Sequence, residues 1–327
     1  MKFGAVATQD AVGALLAHSV ALPNGRLRKG LRLEQNHIAD LLAAGVAQVT
    51  VAQLAATDVD ENTAAAQLAQ ALLADHPHLE MTNAFTGRVN LLAKGPGVAV
   101  LDVAALEAVN SVHPMITLAT VPPFQQMANG GMVATIKIIS YGVDQDDLAR
   151  ACAAGRGAIR LAPPVLPDAT LIITEIAKGA GDKGREAIAN RLAALNIALK
   201  DVVMVPHQTA ALSAAIKSAD TGLVLILTGS ATSDIDDVAP SALRAAGGTV
   251  ERFGMPVDPG NLLFLGALET QKVIGLPGCA RSPALNGADW VLARIACGIA
   301  VTDRDIAAMG VGGLLKEIAT RPQPRRG

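Results

Sequence analysis

The sequence predicts an α/β protein with a three-layer, parallel-sheet domain in its C-terminal half and a smaller α+β or β-rich domain before it. Three observations lead to this expectation. From residue 168 onward, apolar strand-like runs alternate with helical stretches. Before residue 163, short β-branched runs are separated by Gly and Pro. At 327 residues, 51% of them hydrophobic, the chain exceeds one ordinary core.

Residues 1–163 are expected to form one N-terminal domain in two segments. Residues 1–54 are predicted to contain a short helix over Asp10–Leu16, a turn over Leu22–Leu27, a helix over Leu33–Ala44 ended by Gly45, and a strand over Gln48–Ala52. Residues 55–163 are predicted to contain a helix over Asn62–Ala74 and strands over Thr86–Leu92, Val98–Asp102 and Met132–Ile139. These short strands indicate a small barrel or an irregular α+β unit.

Residues 164–300 begin at the Pro-rich linker Pro163–Pro167 and then alternate regularly. The predicted strands are Thr170–Thr174, Val202–Val205, Leu223–Leu227 and Lys272–Leu276. The predicted helices are Lys183–Leu195, Thr209–Ser218, Val238–Ala246 and Pro283–Cys297. This order predicts a parallel sheet with helices on both faces. Residues 301–327 form a tail rich in Arg and Pro at its end, expected to be disordered or the start of a linker.

Composition excludes several classes of function. A formal net charge of −2 and an aromatic content of 2% argue against nucleic-acid binding. No window approaches the roughly 20 apolar residues of a membrane span, and the N-terminus lacks the layout of a signal peptide. Three cysteines, Cys152, Cys279 and Cys297, are odd in number and far apart, which favours a reducing cytoplasm.

The loop Thr228–Pro240 is the strongest candidate for a ligand site. It follows an apolar strand, begins Thr228-Gly229-Ser230, continues through Thr232, and contains three carboxylates, those of Asp234, Asp236 and Asp237. Small residues between a strand and a helix offer backbone N–H groups to an anion, and carboxylates bind Mg²⁺. The alternative is that Asp237 only caps the next helix. Capping alone does not account for three clustered carboxylates, whose repulsion needs a cation or solvent.

A second loop of the same form runs from Gly275 to Pro283. A Pro277-Gly278 turn ends a strand, Arg281 offers a cation to a phosphate or carboxylate, and Ser282 with Pro283 is predicted to start the next helix. The alternative is an ordinary turn with a surface arginine.

Two weaker candidates lie nearby in the predicted fold. The turn-rich excursion Phe253–Asn261 contains Asp258, and long turn-rich loops are often functional. His207 follows a predicted strand and either contacts a ligand or is a solvated turn histidine.

The run Gly179–Gly184 fits the G-x-G-x-x-G pattern of dinucleotide binding. In that fold the pattern follows the first strand directly, whereas Glu175–Lys178 intervene here. The acidic residue expected after the second strand is replaced by His207. A nicotinamide-dependent oxidoreductase is therefore a minor alternative, and Asp182–Gly184 remain candidates for a phosphate contact.

The chain resembles the molybdopterin-binding domains of molybdopterin adenylyltransferases and molybdenumtransferases. Thr228–Pro240 resembles the family's T-G-G-[TV]-[GS]-x-x-x-x-D-x-x-P region, Gly275–Ser282 its L-P-G-x-P-x-S loop, and Met255–Gly260 the K-P-G-K region of the molybdenumtransferases. Segments between residues 10 and 52, among them Asp10–Gly13, Lys29-Gly30 and Val49–Val51, resemble the opening of the molybdenumtransferases. The resemblance covers roughly residues 10–52 and 168–298.

The sequence departs from the family pattern at several positions. Ser230 replaces the second glycine, Asp258 and Asn261 replace two lysines, and His207 stands where the family often has an acidic residue. Cys279 and Ala280 replace an asparagine and a proline. The lost lysines bring catalytic competence into question, because charge stabilisation is the main resource of phosphoryl and nucleotidyl chemistry.

The resemblance implies an oligomeric cytoplasmic enzyme of molybdenum-cofactor biosynthesis that exchanges AMP on adenylylated molybdopterin for molybdate with Mg²⁺. Asp237 would be the metal or acid–base residue, assisted by Asp234 or Asp236. The residues that would hold the pterin and its phosphate are Thr228, Gly229, Ser230, Thr232, Pro277, Gly278, Arg281, Ser282, His207 and Asp258. The alternative is a non-catalytic carrier of molybdopterin or its molybdenum form that serves a nucleotidyltransferase or a molybdoenzyme.

Overall fold

The computed structural model describes residues 1–177 and 182–315, which divide into two compact units. The first unit comprises residues 1–94, 99–123 and 129–161, and the second comprises 95–98, 124–128 and the chain from 162 onward. The predicted boundary near residue 163 placed residues 95–98 and 124–128 in the first domain, but in the structure they are part of the second unit. These segments belong to the second unit because Val98 lies in its core and the Phe124 ring stacks on Arg294.

The elements up to residue 162 are mostly short. The strands are β1 (Lys2–Ala7), β2 (Leu15–Leu16), β3 (Val20–Leu22), β4 (Gly25–Leu27), β5 (Gln48–Gln53), β6 (Asp58–Asp60), β7 (Leu79–Met81), β8 (Arg88–Ala93), β9 (Gly97–Leu101), β10 (Ile116–Thr120), β11 (Gln126–Met127), β12 (Met132–Ile138), β13 (Gly142–Asp144) and β14 (Ile159–Ala162). The helices are α1 (Gln35–Ala43), α2 (Glu61–Leu73), α3 (Val103–Val112) and α4 (Gln145–Ala154).

The first unit contains several small antiparallel sheets. They have the strand orders β1-β5-β2, β10-β12-β8-β7, β13-β6 and β3-β4, and α2 packs on β8 and β12. The unit is thus an α+β structure, one of the two forms that the sequence predicted. The predicted helix over Asp10–Leu16 is wrong, because Gly13 has a φ of +80° and Leu16 pairs with Val51 in β5.

The second unit is built on one six-stranded sheet. Its strands are β15 (Asp168–Glu175), β16 (Ala198–Pro206), β17 (Leu223–Leu227), β18 (Thr249–Phe253), β19 (Phe264–Leu268) and β20 (Gln271–Leu276). Its helices are α5 (Arg185–Ala193), α6 (Thr209–Ser218), α7 (Val238–Ala245), α8 (Gly287–Ala296) and α9 (Asp303–Ala308). The sheet order is β16-β15-β17-β20-β19-β18, with the first four strands parallel and the last two antiparallel.

The sheet of the second unit is covered by helices on both faces, as the sequence predicted. In β17, Leu223 and Leu225 pack into the core beneath α5 and α8, whereas Val224 and Ile226 pack into the core beneath α6 and α7. This alternation is the two-residue period of a strand buried on both sides. The four parallel strands were predicted, but β18 and β19 were missed, since they form an antiparallel extension at the sheet margin.

Candidate functional site

Three connecting loops leave the carboxyl ends of parallel strands β16, β17 and β20. They begin at His207, Thr228 and Pro277, and because the strands are parallel these loops lie at one edge of the sheet. The structure therefore brings together the two main loops and the histidine that the sequence singled out.

A hydroxyl network joins the ends of three strands at this edge. The side chain of Thr174, at the end of β15, is buried, and its Oγ1 accepts a hydrogen bond from the backbone N–H of Gly229 at 2.9 Å. The same Oγ1 lies 2.8 Å from Nδ1 of His207, whose backbone N–H donates to the carbonyl of Glu175. Sequence analysis missed Thr174, although a polar residue ending an apolar strand was a usable signal.

Gly229 is required by the close approach of its loop to β15. A Cβ at this position would lie 2.7 Å from the carbonyl oxygen of Thr174 and 3.2 Å from the backbone nitrogen of Ile176. Any larger residue would push the loop away from the strand end.

The hydroxyl groups of Thr228 and Thr232 face each other across the first loop. Their Oγ1 atoms are 3.4 Å apart and both side chains are buried, whereas Ser230 is exposed between them. The threonines thus shape the loop from inside, and Ser230 lies on its solvent side.

The three carboxylates of this loop do not converge on a common point. Asp236 forms an exposed ion pair with Arg244 at 2.8 Å, and Asp234 accepts a hydrogen bond from the backbone N–H of Asp236 at 2.8 Å. Asp237 caps α7. The expectation that their repulsion needs a cation or solvent is corrected, because each carboxylate has its own partner in the protein.

Asp237 is a helix N-cap held by two backbone donors. Its Oδ2 accepts from the N–H of Ser233 at 3.0 Å, and its Oδ1 accepts from the N–H of Val238 at 2.7 Å. The hydrogen bond from Ser233, assisted by that from Val238 and by His207 when its ring is protonated, lowers the pKa of this carboxyl against the opposing effect of partial burial. The group is therefore ionised at neutral pH.

Arg281 links the second loop to the first. Its Nη2 donates to the carbonyl of Thr228 at 2.7 Å, and its Nη1 donates to the carbonyl of Lys183. Burial lowers the pKa of this guanidinium. Gly184, at a φ of +103°, packs against Arg281 so closely that a Cβ would come within 2.9 Å of its side chain. The predicted anion-binding cation thus also supports the loops.

Arg191 of α5 fixes the second loop, which follows β20, through hydrogen bonds to its backbone. Its guanidinium donates to the carbonyl oxygens of Ala280, Ser282 and Ala284 at 2.8–3.0 Å and pairs with the carboxylate of Asp289. The Arg191 side chain is only 11% exposed and that of Asp289 13%. Sequence analysis missed Arg191, since nothing in its neighbourhood along the chain marks it.

The predicted start of α8 at Ser282 and Pro283 is wrong. The loop makes a 3-10 turn over Gly278–Arg281, and α8 begins later, at Gly287. Asn286 is the N-cap and forms a capping box with Asp289. Ser282 instead lies exposed in the loop, where its Oγ accepts from Ala284.

The excursion that contains Asp258 lies beside the start of α8. The backbone N–H of Gly287 donates to the carbonyl of Pro259 at 2.8 Å. The backbone of Asp258 pairs with Gly313 and Leu315. The excursion is thus attached to the end of the described chain, and the role predicted for Asp258 in ligand binding stays a prediction.

A preformed metal centre is not found in the part of the chain that the structure describes. There, no group of three His, Cys, Asp or Glu side chains is placed to bind one metal ion. A divalent cation at the first loop would therefore need most of its ligands from a bound phosphate and water.

Two cavities open at the opposite edge of the sheet, where the parallel strands begin. One, of about 700 Å³, is lined by polar groups that include Asp168, Lys217 and Thr221, and the other, of about 420 Å³, is lined mainly by apolar side chains. Neither includes a predicted site residue. The carboxyl edge, at which parallel strands β15, β16, β17 and β20 end, is nonetheless the better site candidate, because the loops and helix N-termini of a parallel sheet converge there.

The nicotinamide alternative gains no support from the geometry. Gly179–Gly181 lie outside the described residues, and α5 starts only at Arg185. After β16, His207 contacts Thr174 where a dinucleotide fold would offer a carboxylate to the ribose.

Comparison with known families places the candidate site within a recognised domain. Residues 171–296 match the family described as a probable molybdopterin binding domain. This segment is similar to molybdopterin-binding domains. The match begins within β15 and ends with α8, so it includes the loops that begin at His207, Thr228 and Pro277. Residues 5–53 match a family described as a domain of unknown function, so the resemblance of residues 10–52 to the molybdenumtransferases stays a prediction.

Three solved structures are similar to the chain. The molybdopterin biosynthesis MoeA protein from Pyrococcus horikoshii is 13% identical, with a TM-score of 0.32 over 91% of this chain and 75% of its own. A molybdopterin biosynthesis protein from Mycobacterium abscessus is 16% identical, with a TM-score of 0.30 over 40% and 92%. The molybdopterin biosynthesis enzyme MoaB from Thermus thermophilus is 17% identical, with a TM-score of 0.29 over 46% and 100%. The comparison with curated proteins found no match.

No helix among the described residues has the length and apolar character needed to span a membrane.

We expect Asp237→Ala to lower the unfolding free energy by about 1 kcal/mol at pH 7, since the mutant lacks the N-cap. The folded-state pKa of Asp237 lies below its ordinary value of 3.8, so its charge stabilises the fold above that value. This contribution is lost as the pH falls through the folded-state pKa. The difference between wild type and mutant in urea titrations should therefore shrink below about pH 4.

The matched control is Asp237→Asn, which keeps a capping oxygen but cannot titrate. Its stability relative to Asp237→Ala should not change over the same pH range. A wild-type advantage over Asp237→Ala that grows on acidification would contradict the assigned hydrogen bonds.

We expect Arg191→Met to lower the unfolding free energy of the second unit by roughly 3 kcal/mol, because it leaves Asp289 and three carbonyls without their buried donor. The single tryptophan, Trp290 in α8, reports on this unit by fluorescence during urea unfolding. Arg150→Met is the control, since Arg150 pairs with Asp147 on the surface and its loss should cost less than about 1 kcal/mol. Equal losses for the two variants would refute the role of Arg191.

Proposed function

We propose that the second unit binds molybdopterin, with the phosphorylated end of the pterin at the carboxyl edge of the six-stranded sheet. The observation that supports this most is the position of the family match. Residues 171–296 contain the two loops, joined by Arg281, that leave β17 and β20. A phosphate there would meet backbone N–H groups and a guanidinium rather than a carboxylate cluster.

The exposed part of the edge is the proposed contact surface. Gly278 and Ser282 are exposed in the second loop, and Ser230 is exposed in the first. A Cβ on Gly278 would have open space around it, which leaves room for a phosphate oxygen near the backbone. The other predicted contacts are Thr228, Gly229, Thr232 and Pro277, which are buried or half-buried and support these loops.

Binding without turnover is the form of this function that the geometry supports best. The carboxylates of Asp234 and Asp236 already interact with a backbone N–H and with Arg244, respectively. Asp258 and Asn261 stand where the family has two lysines. The edge therefore offers little of the positive charge that nucleotidyl transfer requires. A carrier would pass the cofactor to a partner such as a nucleotidyltransferase or a molybdoenzyme, and we expect the chain to self-associate.

Molybdate insertion into adenylylated molybdopterin is the second candidate. Asp237 favours it, because this carboxylate is held ionised at the edge and could share Mg²⁺ with a bound phosphate. The ion would neutralise the phosphate during exchange of AMP for molybdate.

We expect Gly278→Glu to weaken the binding of molybdopterin about tenfold, which corresponds to ~1.4 kcal/mol. The new carboxylate would face the phosphate without a steric cost in the free protein. Binding can be followed under anaerobic conditions by the fluorescence of Trp290, with Gly278→Gln as the control of equal size. Equal affinity for the Glu and Gln variants would place the phosphate elsewhere.

The two candidates are separated by molybdate-dependent release of AMP from adenylylated molybdopterin in the presence of Mg²⁺. A carrier releases none while binding the pterin, whereas an enzyme releases AMP catalytically and loses this activity in Asp237→Asn. Full activity of that variant would remove Asp237 from the proposed chemistry.

A further inference from the structure

The buried hydroxyl of Thr174 lies between two nitrogen atoms from different strand ends. Its Oγ1 is 2.9 Å from the backbone nitrogen of Gly229 and 2.8 Å from Nδ1 of His207. Only 1% of the residue is exposed, so water does not replace either partner. The hydrogen-bonding pattern of the network therefore follows from the protons that the three groups carry.

The number of protons available determines which group donates in the hydrogen bond between Thr174 and His207. The backbone N–H of Gly229 can only donate, and it occupies one lone pair of the Thr174 oxygen. The single hydroxyl proton of Thr174 then needs an acceptor, and Nδ1 of His207 lies at hydrogen-bond distance. Nδ1 accepts only when it carries no proton. A neutral His207 then carries its proton on Nε2.

We propose that Thr174 is a positioning residue that holds neutral His207 as the Nε2–H tautomer, so that this histidine donates to an oxygen of an anionic, phosphate-type ligand. This inference rests on the proposed function of the same edge. The backbone N–H of Gly229 is already engaged by Thr174 and does not reach the ligand. His207 thus supplies a hydrogen-bond donor for the ligand beside the first loop, where the backbone N–H of Gly229 is already used by Thr174.

The neighbours of His207 leave Nε2 available for this role. Asp237, the nearby carboxylate, already accepts from the backbone N–H groups of Ser233 and Val238. Glu175 contacts His207 through its backbone carbonyl, which accepts from the histidine's own backbone N–H. Among the described residues, none is seen to accept a hydrogen bond from Nε2. His207 is half-buried, so part of the residue is open to a ligand at the edge.

The tautomer can be measured directly by ¹⁵N NMR of the imidazole rings in the full chain. The sequence contains six histidines, and the His207→Gln variant assigns the signals of His207. At a pH where the ring is neutral, we expect the Nε2–H form in wild type and in Thr174→Ser. Thr174→Val, which has no hydroxyl, should show a mixture of tautomers. Predominance of the Nδ1–H form in wild type, or an unchanged tautomer in Thr174→Val, would overturn the proposal.

Titration with inorganic phosphate tests the ligand contact. We expect phosphate to shift the Nε2 resonance in wild type and Thr174→Ser, and its affinity to fall several-fold in Thr174→Val and in His207→Phe, which has no side-chain donor. If phosphate leaves the chemical shift of Nε2 of His207 unchanged, the donor role is refuted. Wild-type affinity of His207→Phe for molybdopterin would also refute it while leaving the proposed function intact, whereas loss of the proposed function would show as absent molybdopterin binding by wild type.

Discussion

The guanidinium of Arg191 is the contact on which the geometry of the candidate site depends most. From α5 it binds three carbonyls of the loop that follows β20 and pairs with Asp289, the residue that completes the cap of α8. A loop rich in Gly and Pro has little structure of its own to fix its course. Five donors in a rigid fork can do so, and Lys could not. The loop is thereby held where Arg281 can reach Thr228.

The register of the parallel strands determines which residues meet at this edge of the sheet. Leu227 pairs with Ile173 in β15 and with Leu276 in β20, so β17 and β20 end level with one another while β15 continues for two more residues. The next residues on each strand are the ones that interact at the edge. Thr174, one residue beyond Ile173, meets Gly229, two residues beyond Leu227. A slip of one residue would turn the Thr174 side chain to the other face of the sheet and break the network.

The electrostatics of the edge differ from what a cluster of acidic residues suggests. Asp234, Asp236 and Asp237 are each satisfied by a backbone donor or by Arg244, so their charges do not form a common field for a cation. Arg281 provides a guanidinium at the same loops, where it donates to the carbonyls of Thr228 and Lys183. The balance favours recognition of an anion over assembly of a metal centre, which is consistent with the similarity of this segment to molybdopterin-binding domains.

The sequence by itself determined the elements whose signals are local. The bounds of α6 and β17 and the four parallel strands follow from hydrophobic periodicity, and Asp237 follows from helix-capping chemistry. The loops at the carboxyl edge follow from strand order. Only the tertiary structure decided the start of α8, the antiparallel β18 and β19, and the roles of Thr174 and Arg191. Those two roles depend on contacts between residues 33 to 98 positions apart, and no pattern along a single chain encodes which distant partner a buried hydroxyl or guanidinium will meet.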